Sequence, residues 1–404
     1  MVDHDVIVVG AGPAGSTAAR RLALSGLRVA VLDREKFPRV KPCAGAIRWR
    51  VTQTLGFDVR PLLHRRISGF SIYAPQGFRV DCIPEDRTRP GYTIMRDEFD
   101  AFLLKKAAEA GANVQEGKEV TGVSQEPASV QVVTSSGEKL SGRYLIAADG
   151  INSTAAKSLG FYEAWDGATA MVGIEVEAEV GQQKVRDICA DPTGHDAEVF
   201  FFNFGDVPHG YTWCFPKRTI LSLGICCWQD KAKNIRAIFD NWYAKFIAEH
   251  QLSPHIVSET SARFPVVPRK PLVIGRALLA GDAAGFVDAF TGEGIPYAID
   301  SGIYAADAVV SAARQDQPAE LRKYESVCEK TVLKDLAVSD SLAKMFYKSR
   351  KNMETFCRFL HEDKYASYLI AASIGGLLPM STVKTKLTMR MLRKRPLDAM
   401  SMMA

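Results

Sequence analysis

No Cys-x-x-Cys pair and no metal-ligand spacing occurs among the 8 cysteines of this 404-residue chain. That sets aside a zinc site, a thioredoxin-type redox motif and a disulfide scaffold, and it suits a reducing cytoplasm. The adjacent Cys226 and Cys227 read as small core residues of a strand. No secretory leader is expected, because a strand pattern begins by residue 5. Long hydrophobic runs are missing too. The longest uncharged stretch, Tyr365 to Val383, is interrupted by Ser367, Ser373, Gly375, Gly376 and Pro379, so no spanning helix is expected. Strong net charge is absent: +5 overall argues against a nucleic-acid partner. The charge is uneven, however. From Lys344 onward there are 12 Lys and Arg against 4 Asp and Glu. A basic end of this kind suggests an anionic membrane surface or nucleic acid, although a solvated helical surface is its usual explanation; peripheral contact with an inner membrane face is the expectation kept. Hydrophobic content of 47% excludes a disordered chain, and the length allows two or three domains.

The stretch "DVIVVGAGPAGSTAARRLALSGLRVAVLDRE" carries the first positive signal. Val6 to Val9 form a buried-strand run, and Gly10, Gly12 and Gly15 make a G-x-G-x-x-G turn that includes Pro13 and Ala14. A helix then runs to about Ser25, Gly26 stops it, and Leu27 to Leu32 form a second strand ending at Asp33 and Arg34. Gly10 permits the tight turn, Gly12 lets backbone approach a pyrophosphate, and Gly15 lets helix and strand pack closely. The helix start offers free N–H groups to phosphate, and an acid at the position of Asp33 can accept ribose hydroxyls. Strand, turn, helix, strand and acid together indicate a bound dinucleotide.

Three further stretches choose between a flavin and a nicotinamide. "YLIAADGINS" is a strand running into Asp149-Gly150. "ALLAGDAAGFVDAFTGEGIPYAIDSG" is a strand ending at Gly281-Asp282, followed by Gly292, Gly294 and Ile295 at the mouth of another helix. "IMRDEFDAFLLKKAAEAGA" places Arg96 at the head of an amphipathic helix. Each alone is an ordinary α/β connection, but their order behind a glycine-rich turn resembles the FAD-binding signature of the para-hydroxybenzoate hydroxylase superfamily. That resemblance implies Asp33 on the adenosine ribose and Arg96 and Asp149 along the ribose-pyrophosphate region. It also implies Asp282 on the ribityl chain and the 292–295 backbone at the flavin pyrimidine edge, where a helix start favours anionic reduced flavin. Arg34, Val120 and Gly150 complete the cofactor candidates on this reading. No second glycine triplet follows a strand, so a separate NAD(P) domain is not visible.

"PHGYTWCFPK" places Tyr211, Trp213 and Phe215 at alternate positions between Pro208 and Pro216. On a strand these rings share one face and either fill a core or wall an apolar cavity. The run matches the P-x-x-Y-x-W-x-F-P pattern of the geranylgeranyl reductase family within that superfamily. "KFPRVKPCAGAI" resembles the family's cysteine loop, with Ala44 where glycine is common. The resemblance spans roughly residues 3 to 330. It adds Cys43, Ala44 and Gly45 to the cofactor candidates and favours the cavity wall. "AEVFFFNFG", "GYTWCFP" and "TILSLGICCW" read as three consecutive antiparallel strands outside the nucleotide domain.

The implied activity is saturation of isolated double bonds in a geranylgeranyl or polyprenyl chain on a lipid, quinone or chlorophyll-type substrate. Reduced flavin N5 would give hydride, with NADPH or ferredoxin as external donor. Tyr211 and Trp213 would face the developing positive charge, and Cys43, Tyr211 or water would give the proton. Cys43 is otherwise a small loop residue, although Arg39 and Lys41 are basic neighbours able to lower a thiol pKa. The rivals are an aromatic monooxygenase or a halogenase of the same fold, and a lipid-binding flavoprotein without turnover. The expected architecture is α/β: a Rossmann-like FAD-binding domain (1–60, 93–160, 270–335), an antiparallel-sheet substrate domain (61–92, 161–269) and a C-terminal helical region (336–404). That last region reads as a cap over the substrate or as a membrane-facing helix end.

Overall fold

The computed structural model describes residues 2–403. The chain divides into two compact units. The first comprises Met1–Val40, Arg96–Asp166 and Phe264–Leu336; the second comprises Lys41–Met95, Gly167–Arg263 and Ala337–Ala404.

The first unit is built on the α/β pattern expected. The buried apolar run His4–Val9 pairs in parallel with Val29–Asp33 on one side and Lys139–Ala147 on the other. Asn113–Glu116 extends one flank and Ala277–Leu279 the other, also in parallel. Strand order reverses at His4–Val9, so the turn after this strand opens at the topological switch point, where such sheets bind ligands. Helices Pro13–Leu24 and Ile295–Gln315 cross closely because Gly302 has no Cβ. One there would lie 2.3 Å from the Ala14 carbonyl oxygen. The starts of both helices are thereby drawn to the same end of the sheet.

The second unit is organised around an antiparallel sheet. The strands Glu198–Phe204, Gly210–Pro216 and Ile220–Trp228 form its consecutive meander, and Ala170–Glu179 pairs with the last of them. Arg65–Tyr73 joins Glu198–Phe204 in parallel. One face carries Val176, Phe201, Cys214, Leu223 and Ile225, packed with Phe239 of helix Ile235–Glu249. The alternation therefore sends Phe200, Phe202, Phe204, Tyr211, Trp213 and Phe215 to the other face. Helices from Lys334 to Met403 follow. Phe346 and Tyr347 meet Phe204 at ring distances of 4.9 and 6.1 Å, so this helical region covers part of the aromatic face. Among the described residues no helix is long and apolar enough to cross a membrane.

Candidate active site

Gly10 and Gly15 have the steric roles their spacing implies. Gly10 has φ +94°, and a Cβ there would lie 2.3 Å from the Ala148 carbonyl oxygen. A Cβ on Gly15 would lie 1.8 Å from the Gly10 oxygen. Gly12 differs: a Cβ there would meet nothing nearer than Arg39 Nη2 at 3.8 Å, leaving open space before an uncapped helix start. Asp33 closes the turn from the next strand, accepting Ala11 N–H at 2.6 Å and Glu35 N–H at 2.9 Å. Arg34 points away into an exposed pair with Glu35.

Arg39 is the residue that the sequence reading undervalued, treating it only as a basic neighbour of Cys43. Its guanidinium stacks 4.8 Å from the Phe37 ring and reaches Asp100 at 3.0 Å. Asp100 is also held bidentately by Arg96, at 2.9 and 2.7 Å. One buried carboxylate thus anchors two guanidinium groups, of which Arg39 lies beside the glycine turn. Arg39 Nη1 is buried without a hydrogen-bond partner, a cost that an anionic ligand would relieve.

Asp149 follows the Lys139–Ala147 strand, and Gly150 takes φ +80°. Asp149 Oδ2 accepts Ala155 N–H at 3.2 Å, while Oδ1 is buried without a partner. Burial pushes this carboxyl above its ordinary value. Val120 heads the strand against which the following helix, Thr154–Ser158, packs. At the other sheet flank, Gly281 (φ +59°) and Asp282 open a 3₁₀ turn that Gly285 ends in the left-handed region. Gly292 is left-handed as well, and Gly294 heads helix Ile295–Gln315 without a side-chain cap. A Cβ on Gly294 would lie 3.7 Å from Asp282 Oδ1, so the ribityl candidate sits beside an open helix start. Open backbone at two helix starts and unpartnered Arg39 and Asp149 atoms fit a dinucleotide carrying a flavin.

In the second unit, Cys43 N–H donates to Glu175 Oε2 at 2.5 Å, which fixes the loop carrying Cys43 and Ala44. Gly45 turns it with φ +77°, and a Cβ there would lie 2.2 Å from the Ile94 oxygen. Tyr211, Trp213 and Phe215 are all buried. Phe215 stacks on Phe200 at 4.3 Å, Tyr211 meets Phe202 edge-on at 5.1 Å, and Tyr211 and Trp213 are 6.2 Å apart. The same face holds a buried charge cluster that sequence reasoning missed. Lys217 pairs with Glu177, Ser222 donates to Glu175 at 2.6 Å, and Trp213 Nε1 donates to Ser222 at 3.3 Å. Period-two acids within the apolar "VGIEVEAEV" were its signal, resembling an ordinary solvent face until the sheet was placed.

Fold and site together define an FAD-binding protein, and the FAD-binding domain family matches residues 3–337. Similar proteins include an uncharacterised protein of Methanosarcina barkeri, 33% identical over 86% of this chain and 84% of its own. Digeranylgeranylglycerophospholipid reductase 1 of Methanococcoides burtonii is 30% identical over 80% of this chain and 78% of its own. Among solved structures, a geranylgeranyl bacteriochlorophyll reductase-like protein of Thermoplasma acidophilum aligns with a TM-score of 0.79. It is 24% identical, over 95% of this chain and 98% of that one. The chain belongs to the geranylgeranyl reductase family of FAD-dependent oxidoreductases.

Proposed function

We propose that the protein saturates isolated trisubstituted double bonds in a geranylgeranyl or longer prenyl chain borne by a lipid. The observation that carries this reading is the aromatic face of the second sheet: Phe200, Phe202, Tyr211, Trp213 and Phe215 lie together, opposite a conventional helix-covered core. The clustered rings of this face match an apolar chain. The relative named for a digeranylgeranylglycerophospholipid supports a lipid-borne chain.

When bound, reduced FAD supplies the hydride. Residues Gly12, Asp33, Arg39, Arg96, Asp149 and Asp282 would hold it. NADPH or ferredoxin would restore the reducing equivalents. An unactivated alkene acquires carbocation character as it reacts. The π faces of Tyr211 and Trp213 stabilise that charge by roughly 0.5–2 kcal/mol per well-placed ring. Cys43, Tyr211 and a bound water are the sequence candidates for delivering the proton.

The test mixes anaerobically reduced, FAD-loaded protein with a geranylgeranyl lipid. Flavin reoxidation matched by saturated product is expected; reoxidation that requires oxygen would instead identify the monooxygenase. Trp213→Ala is expected to stay folded and keep FAD while losing most turnover. If the stripe were simple core, the same change would cost roughly 3–5 kcal/mol of stability. A stable, FAD-loaded Trp213→Ala protein with undiminished reduction would rule out the aromatic wall.

A further inference from the structure

We propose that Glu177, paired with Glu175 and Lys217, is the proton reservoir for the alkene reduction, an inference that rests on the function proposed above. Three ionisable side chains are almost fully buried here: Glu175 is 3%, Glu177 6% and Lys217 1% exposed. Two carboxyls and one ammonium leave one negative charge that burial opposes, unless one carboxyl keeps its proton. The hydrogen bonds indicate which one does. Glu175 is supplied with donors on both oxygens, Cys43 N–H on Oε2 and the Ser222 hydroxyl on Oε1. Glu177 has Lys217 on Oε1 and no partner on its buried Oε2. With donors already on both Glu175 oxygens, a proton on Glu177, given in a hydrogen bond to Glu175, satisfies this arrangement best.

The position also suits proton delivery. Glu177 opposes Ser222 and Ser222 opposes Phe215 in the sheet register, while Glu175 opposes Gly224 and Gly224 opposes Trp213. The carboxyl pair therefore stands on the face that carries the aromatic wall, on the next strand but one. Burial raises the Glu177 carboxyl to about 7, with Lys217 lowering and Glu175 raising it. That value is matched to general-acid work at neutral pH. The charged and titratable groups that face the Glu177–Lys217 pair are Glu175 from its own strand and Cys43 from the loop. Burial opposes the Lys217 charge, but Glu177 and Glu175 hold its ammonium above the ordinary range. In the reaction the π bond breaks, and one carbon takes hydride from the reduced cofactor. The Glu177 O–H bond breaks and its proton goes to the neighbouring carbon. The carboxylate left behind is held by Lys217 until solvent re-protonates it.

Infrared difference titration of the FAD-loaded protein reads the reservoir without turnover. One carboxyl band titrating near neutral pH is expected in wild type, absent from Glu177→Gln and restored in Glu177→Asp. Single-turnover alkene reduction should fall with rising pH above about 7 in wild type. Glu177→Gln should lose roughly 10²–10⁴-fold of rate and that pH dependence, while keeping FAD and melting temperature. If wild type reduces no alkene but the band behaves as described, the proposed function fails and the carboxyl pair stands as a protonated site without this role. No neutral-range band in wild type, or a folded Glu177→Gln protein with the wild-type rate and pH profile, overturns the reservoir. Should Glu177→Gln not fold, Lys217→Met is read instead: an unshifted carboxyl band there also overturns it.

Discussion

The Trp213 indole lies directly over Gly224, where a Cβ would come within 2.1 Å of ring carbon Cζ2. The two residues are register partners on adjacent strands, so the missing side chain at 224 makes room for the large one at 213. Because the ring lies flat on the sheet, its Nε1 reaches Ser222 at 3.3 Å. Gly224→Ala must therefore displace the indole and break that bond. Overpacking of this kind costs about 1–3 kcal/mol. A lower melting temperature and shifted tryptophan emission are expected. If both stay at wild-type values, the ring does not depend on Gly224.

Arg39 and the phosphate turn make a second expectation. Charge-assisted hydrogen bonds contribute about 1.5–3 kcal/mol, so Arg39→Ala should weaken FAD binding roughly 10- to 100-fold. Arg96 continues to hold Asp100 in that variant, so the apo-protein melting temperature should change little. Titrating apo-protein with FAD and following flavin fluorescence checks this. An unchanged dissociation constant would remove Arg39 from the site.

Asp363 offers a test in the helical region. It caps the helix Lys364–Ile374 through Tyr365 and Ala366 N–H, both at 3.1 Å, and meets Arg390 at 2.6 Å and Lys394 at 2.7 Å. Burial alone would raise this carboxyl, but the Arg390 and Lys394 hydrogen bonds outweigh it and bring it to about 2 from an ordinary 3.8. A depressed folded-state pKa stabilises above 3.8, and that stabilisation is lost as pH falls toward 2. Asparagine still caps a helix, so Asp363→Asn isolates the charge. Its melting temperature should lie roughly 1–3 °C below wild type at pH 7, with the gap narrowing below pH 4. A gap independent of pH would mean that the ion pairs contribute nothing.

The nucleotide turn, its strand–helix–strand frame and the antiparallel meander were legible in the residues, because their causes are local. Gly10 is required by its own positive φ and Gly15 by the Gly10 carbonyl five residues before it, and alternation alone places Tyr211, Trp213 and Phe215 on one face. The Rossmann-like class and a bound dinucleotide follow from such short-range rules, and FAD in particular from the resemblance of these stretches to a known signature. Which face of the meander meets helices, and what lies beside the aromatic rings, depends on strand pairing across long separations. Cys43 and Glu175 are 132 positions apart, and Lys217 and Glu177 are 40. Arg39 likewise comes beside the glycine turn while paired with Asp100, on a helix that the chain reaches only after passing through the other unit. Charges in such places carry no local signature, since their burial and pairing exist only after distant strands come together. The turn chemistry was therefore written in the sequence, while the buried Glu175–Glu177–Lys217 cluster and the Arg39–Asp100–Arg96 anchor were decided by the tertiary structure.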